Sequence, residues 1–180
     1  MNTTPLYIFD LDGTLADLEH RRHFVEKPQC TQCANKSWPT GQPMKCVNCA
    51  KLKRKPDWDA FHAACVNDTP IQPVIRVLLN LATSEPAYPD IWVWSGRMDT
   101  VRTQTEAWLE KHTPSWRIDV LRMRKAGDHT PDDQLKESWL HAMSPEDRAR
   151  LVMVFDDRQR VVDMWRRNGV VCAQVAPGDF

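Results

Sequence analysis

No apolar run in the 180 residues approaches the roughly 18 needed to span a bilayer, which argues against a membrane helix. The first residues lack both the basic and the apolar stretch of a secretion signal, so a cytoplasmic location is predicted. Net charge is missing too. Lys and Arg number 24 against 24 Asp and Glu, so no global field draws in a polyanion, and any nucleic-acid contact must come from local basic clusters. Without a secretion signal, the six cysteines read as metal ligands or free thiols of a reducing compartment rather than as disulfides.

What is present is a soluble, core-forming composition, with 42% hydrophobic and 27% charged residues. The length suits one domain, 1–180, with a small insertion. Near the start, the apolar run Leu6-Tyr7-Ile8-Phe9 leads into Asp10-Leu11-Asp12-Gly13-Thr14. Alternation along a strand turns Asp10 and Asp12 the same way and Leu11 into the core, and Gly13 lets the chain turn off. The bland reading is a strand and a polar turn; the functional one is a nucleophilic carboxylate with a second carboxyl beside it as acid and base.

Further apolar strands end in polar groups. Ile91 to Trp94 leads to Ser95-Gly96-Arg97, where a hydroxyl and a guanidinium suit phosphoryl oxygens. Ile118 to Leu121 is a third strand, and Leu151 to Phe155 is a fourth, ending in Asp156-Asp157. Adjacent acids at a strand end repel unless a cation neutralises them, which points to Mg²⁺. Val170 to Val175 is a fifth strand, after a helix stopped by Gly169. Between them, Pro73 opens a helix with Val74, Val77, Leu78 and Leu81 on one face, and Trp58, Phe61 and Cys65 read as packing residues at helical spacing. Asp99 or Thr100 is expected to cap the next helix, and Thr130 to Asp133 starts another that carries Lys136 one turn in, either paired with an acid or aimed at a phosphate. The fold predicted is α/β, a three-layer Rossmann-like parallel sheet. Its ligand lies beyond the carboxyl ends of the strands, where these acids, Ser95 and Arg97 gather.

Cys30-x-x-Cys33 and Cys46-x-x-Cys49 are separated by twelve residues on a connector rich in turn formers. Two such knuckles match four thiolates closing on a structural Zn²⁺, within a cap insertion of about 20–72 whose knuckle spans about 28–50. The run Lys51 to Lys55 behind it is either a solvated linker or a patch facing a phosphate backbone. Cys65 and Cys172 read as core thiols.

The Asp-x-Asp-Gly-Thr, Ser-Gly-Arg, helical lysine and Asp-Asp pieces, in this order, resemble the haloacid dehalogenase superfamily of phosphatases. The stretch from Asp156 to Phe180, Asp132-Asp133-x-x-Lys136 and Arg21 are similar to bacteriophage polynucleotide kinase 3′-phosphatase domains. The kinase phosphate loop Gly-x-x-x-x-Gly-Lys-[Ser/Thr] is absent, and the zinc-knuckle insertion departs from that pattern. The resemblance implies a phosphoric monoester hydrolase with Asp10 as nucleophile and Asp12 as acid and base. Ser95 and Lys136 would hold phosphoryl oxygens, and Mg²⁺ would be held by Asp10, Asp156, Asp157 and the Asp12 carbonyl. Arg21, Arg97, Asp132 and Thr14 would face the substrate. The implied substrate is a nucleic-acid 3′-phosphate end, met in the host cytoplasm if the chain is phage-encoded. Neutral charge favours instead a 3′- or 5′-mononucleotide, and a third reading is a zinc-knuckle nucleic-acid-binding module with a vestigial core. No obligate protein partner is evident.

Overall fold

Strand β1, Leu6–Asp10, is the central rib of the sheet, buried at Leu6, Ile8, Phe9 and Asp10. A computed structural model describes residues 3–26, 55–86, 88–113 and 117–178. The expected zinc ligands Cys30, Cys33, Cys46 and Cys49 lie outside these residues, as does the basic run apart from Lys55. Beyond the first motif the chain forms β2, Ala16–Asp17, and the short helix α1, Glu19–Arg22. It resumes with α2, Trp58–Ala63, one 3₁₀ turn at Ala64–Asn67, and β3, Thr69–Pro70. β2 and β3 pair antiparallel, so the inserted stretch leaves and rejoins the fold at one place.

Four longer strands complete the sheet with β1: β4, Asp90–Met98; β5, Ile118–Arg124; β6, Leu151–Arg158; and β7, Cys172–Gly178. Their order is β5-β4-β1-β6-β7 with every pairing parallel. The chain thus builds outward from β1 first one way and then the other. Such a reversal opens a crevice at the carboxyl ends of the strands around β1.

Alternation along the strands fills both faces. Phe9, Ile91 and Val93 pack with Val74, Ile75 and Leu78 of α3, Gln72–Ala82, and with Trp108 and Leu109 of α4, Arg102–His112. Ile8, Trp94 and Val154 pack on the other face with Leu140 of α5, Asp132–His141, and with Val161, Val162, Met164 and Trp165 of α7, Gln159–Arg167. Helices on both faces of a parallel sheet give the three layers expected. Among the described residues no helix is long and apolar enough to cross a membrane.

Several local expectations are corrected. The buried face of α3 is Val74, Ile75, Leu78 and Ala82, while Val77 is 40% exposed, because the helix turns its contact row one position from the one read. Trp58 is 50% exposed and is not a core residue, unlike Phe61 and Cys65. Neither Asp99 nor Thr100 caps α4, which is entered through a 3₁₀ turn at Asp99–Val101, and the Asp99 carboxylate accepts from the Ala126 amide instead. β4, β5 and β7 run further than their apolar cores suggest, and α6, Pro145–Arg150, capped by Ser144, was not anticipated. Cys65 and Cys172 are buried free thiols, and Gly169 has the positive φ (72°) of a helix-ending residue, both as expected.

Candidate active site

The strand ends bring three acids together. β1 supplies Asp10 and β6 supplies Asp156 and Asp157, and one oxygen from each lies within 4.8 Å of the others, all three side chains being buried. α5 lays Lys136 across them, its Nζ donating to Asp10 Oδ1 at 2.5 Å and to Asp156 Oδ2 at 2.7 Å. Trp165 Nε1 approaches Asp156 Oδ2 at 3.5 Å, and Thr14 donates to Asp157 Oδ1 at 3.5 Å. Gly13 (φ 88°) turns the chain directly beneath Asp157; a Cβ there would strike that carboxylate.

One lysine does not neutralise three acids. Burial, then the neighbouring Asp156 and Asp157, push the Asp10 carboxyl well above its ordinary value, and Lys136 offsets only part of this. Burial and Asp156 raise Asp157 to about 6. Lys136 is raised too: burial opposes its charge, but Asp10 and Asp156 outweigh it and favour the charged form. A dry cluster of hard oxygen donors with surplus negative charge fits a divalent cation, which would lower these carboxyl pKa values again.

Asp12 belongs to a second cluster. Its Oδ1 accepts from Arg21 Nη2 at 2.6 Å and from Arg97 Nη2 at 2.6 Å and Nε at 2.8 Å. Both arginines are fully buried and also bind the buried Asp68: Arg21 through Nε at 2.7 Å and Nη2 at 2.8 Å, Arg97 through Nη2 at 2.5 Å. His20 Nε2 lies 2.9 Å from Asp68 Oδ1, and the Arg21 guanidinium sits 4.2 Å from the centre of the Phe61 ring. Burial opposes charge on Asp12, but Arg97 and Arg21 outweigh it and hold the carboxyl far below the usual range. Asp10 and Asp12 both line one cavity, yet they answer to different partners.

The third cluster surrounds Asp132 at the start of α5. Its carboxylate pairs with Arg124 Nη2 and Arg158 Nη1. Arg124 also donates to the Gly96 carbonyl at 2.9 Å and the Thr130 carbonyl at 2.6 Å. A Cβ on Gly96 would come 2.7 Å from Asp132 Oδ1, so glycine between Ser95 and Arg97 lets this acid close on the strand.

These clusters border a cavity of about 970 Å³. Asp10, Asp12, Asp132, Lys136, Asp156 and Asp157 of the expected set line it. The other four sit behind its wall: Arg21, Arg97, Ser95 and Thr14 are fully buried, and the Ser95 hydroxyl accepts from the Arg97 amide at 3.1 Å. Asp68, Arg124, Arg158 and His62 stand outside the expected set, and Trp58 reads from the sequence as a packing residue only. Arg124 and Arg158 sit at strand ends, where the edge rule finds them once β5 and β6 are given their full lengths. Asp68 stands in no motif.

A five-stranded parallel sheet with these acids and a lysine at its carboxyl edge defines the class: a haloacid dehalogenase-type phosphoric monoester hydrolase. Residues 49–180 match the family model described as the polynucleotide kinase PNKP phosphatase domain, and the chain belongs to that family. The structure is similar to a chain in the Pnkp1/Rnl/Hen1 RNA repair complex, at 25% identity and TM-score 0.66, over 100% of this chain and 45% of that one. A chain in another structure of the Pnkp1/Rnl/Hen1 complex gives 27% and 0.67, over 99% and 48%. This chain therefore spans less than half the length of those two. A haloacid dehalogenase-like hydrolase from Streptococcus pneumoniae shares the fold at 14% identity and TM-score 0.55, over 97% of this chain and 85% of that one.

Proposed function

We propose that the chain is a Mg²⁺-dependent phosphatase that works through an aspartyl-phosphate on Asp10 and removes 3′-phosphates from nucleic-acid ends. The observation that carries the chemistry is the meeting of Asp10, Asp156, Asp157 and Lys136 at one wall of the cavity. Asp10, Asp156, Asp157 and the Asp12 carbonyl would hold the cation, whose charge would offset repulsion between the nucleophile and the phosphate. An Asp10 oxygen attacks phosphorus in line as the bond to the ester oxygen breaks, and that oxygen takes a proton from Asp12. Asp12 then accepts a proton from the water that attacks the aspartyl-phosphate, which frees inorganic phosphate and restores Asp10.

In the free protein Asp12 is held ionised by Arg21 and Arg97, which suits a base better than an acid. Asp12 lines the cavity while both arginines lie behind its wall, so a negatively charged phosphate arriving beside Asp12 raises its proton affinity and readies it to carry the proton. Lys136 serves the phosphoryl oxygens in this reading and Ser95 supports them from behind the cavity wall, while Asp132 in the lining and Arg21, Arg97 and Thr14 behind it shape the substrate side. Cys30, Cys33, Cys46 and Cys49 hold a structural Zn²⁺, a reading supported by their spacing alone.

Family membership and likeness to chains of an RNA repair complex support a nucleic-acid end as substrate. The zero net charge supports a mononucleotide instead. Rates on a 3′-phosphorylated oligonucleotide and on 3′- and 5′-mononucleotides, compared at two salt concentrations, decide between them. The proposal expects the oligonucleotide to be preferred and its affinity to weaken with salt, as contacts to several phosphates require. Preference for a 5′-mononucleotide by about a hundredfold, with no added salt effect, overturns it.

A further inference from the structure

Besides its acids and arginines, the cavity lining holds a group of aromatic rings. Trp58, Phe61 and His62, all on α2, line the same space as Asp10 and Lys136. At about 970 Å³ that space lies at the upper end of the range that holds whole small molecules, more than a phosphate group needs.

α2 is fixed in place. The Asp57 carboxylate accepts from the Ala60 amide at 2.9 Å, and the Asp57 amide donates to the Phe24 carbonyl at 2.9 Å. Trp58 meets Phe61 edge-on at 5.6 Å between ring centres, and Phe61 is backed by the guanidinium of Arg21. The aromatic wall thus continues from the arginine pair that grips Asp12 out to Trp58. The indole at its end meets Phe61 and also His62, at 6.2 Å between ring centres, and still leaves half of a large apolar side chain exposed. A second observation comes from His62. It is only 7% exposed, yet its Nδ1 is buried with no hydrogen-bond partner among the described residues. Burial, with Arg21, Arg97 and Arg124 nearby, outweighs Asp12 and lowers the pKa of the ring, and in the neutral form Nδ1 accepts or donates according to tautomer. An orphaned buried nitrogen is costly unless a ligand satisfies it.

We propose that Trp58 is a stacking platform for the base of the nucleotide whose phosphate is removed, with His62 Nδ1 as a hydrogen-bonding group for the same nucleotide. This rests on the nucleotide substrate proposed above and adds a binding subsite to it. A neutral aromatic face takes every base, so the subsite confers a demand for a base rather than for a particular one.

The test is a four-way comparison. Wild-type protein and Trp58→Ala each receive a 3′-phosphorylated oligonucleotide and the same oligonucleotide with its terminal base removed, and kcat/KM is measured for all four. Wild type should prefer the base-bearing end by about 5- to 150-fold. In Trp58→Ala the two substrates should become nearly equal, and Trp58→Phe should keep most of the preference. Because the result is a ratio within one variant, a loss of folded protein cancels from it. Preference undiminished in Trp58→Ala overturns the inference, and so does a wild-type enzyme indifferent to the base, while in both cases the 3′-phosphatase reading stands. If wild type hydrolyses neither oligonucleotide faster than p-nitrophenyl phosphate, that reading falls and the subsite falls with it.

Discussion

Asp68 illustrates how one side chain can organise a site without belonging to any motif. Its buried carboxylate holds Arg21 and Arg97 while both also reach Asp12, so two buried cations are shared between two anions. Removing one member of such a set leaves its partners buried and uncompensated. Asp68→Ala should therefore cost about 3–5 kcal/mol of unfolding free energy, read from urea denaturation. A loss below about 1 kcal/mol would show that the clamp contributes no more than an exposed ion pair. That Asp10, Asp12, Asp156, Asp157 and Lys136 meet at one cavity was legible because each stands beside an apolar strand or a helix start. Asp68 lies 47 positions from Arg21 and 29 from Arg97, and only the folded chain joins them.

Among the elements, strands were read better than their ends. The five apolar runs gave every member of the large sheet, but polar residues at the carboxyl edge hid the true ends of β4, β5 and β6. That edge is where Arg124 and Arg158 enter the site, so a strand cut short in reading removes a functional residue from view. Short paired segments such as β2 and β3 leave no periodic signal. The zinc proposal rests on a signal of another kind, the spacing of the two cysteine pairs. Protein purified under reducing conditions without chelator should carry about one zinc per chain by elemental analysis. Metal-free protein with four freely titrating thiols would contradict this.

Across the whole molecule, the order β5-β4-β1-β6-β7 explains why residues as distant in sequence as Asp10 and Asp157 converge. Parallel strands deliver their polar ends to one edge, and reversal of winding at β1 opens the cavity there. The class of chemistry was readable from this logic. The division of labour was not, because it depends on which arginine faces which acid. Lys136 reads from the sequence either as paired with an acid on the helix surface or as aimed at a phosphate, and only the folded chain shows it buried between Asp10 and Asp156.

The central claim is that Asp10 is the nucleophile of a phosphatase acting on nucleic-acid ends. Its most direct test is release of inorganic phosphate from a 3′-phosphorylated oligonucleotide with Mg²⁺ present, by wild-type protein and by Asp10→Asn purified in parallel, with the folded fraction of each checked by thermal melting. Asn keeps the shape of the side chain and removes the attacking charge, so kcat should fall by roughly three orders of magnitude or more in a folded protein. Near-normal turnover by folded Asp10→Asn would contradict the account.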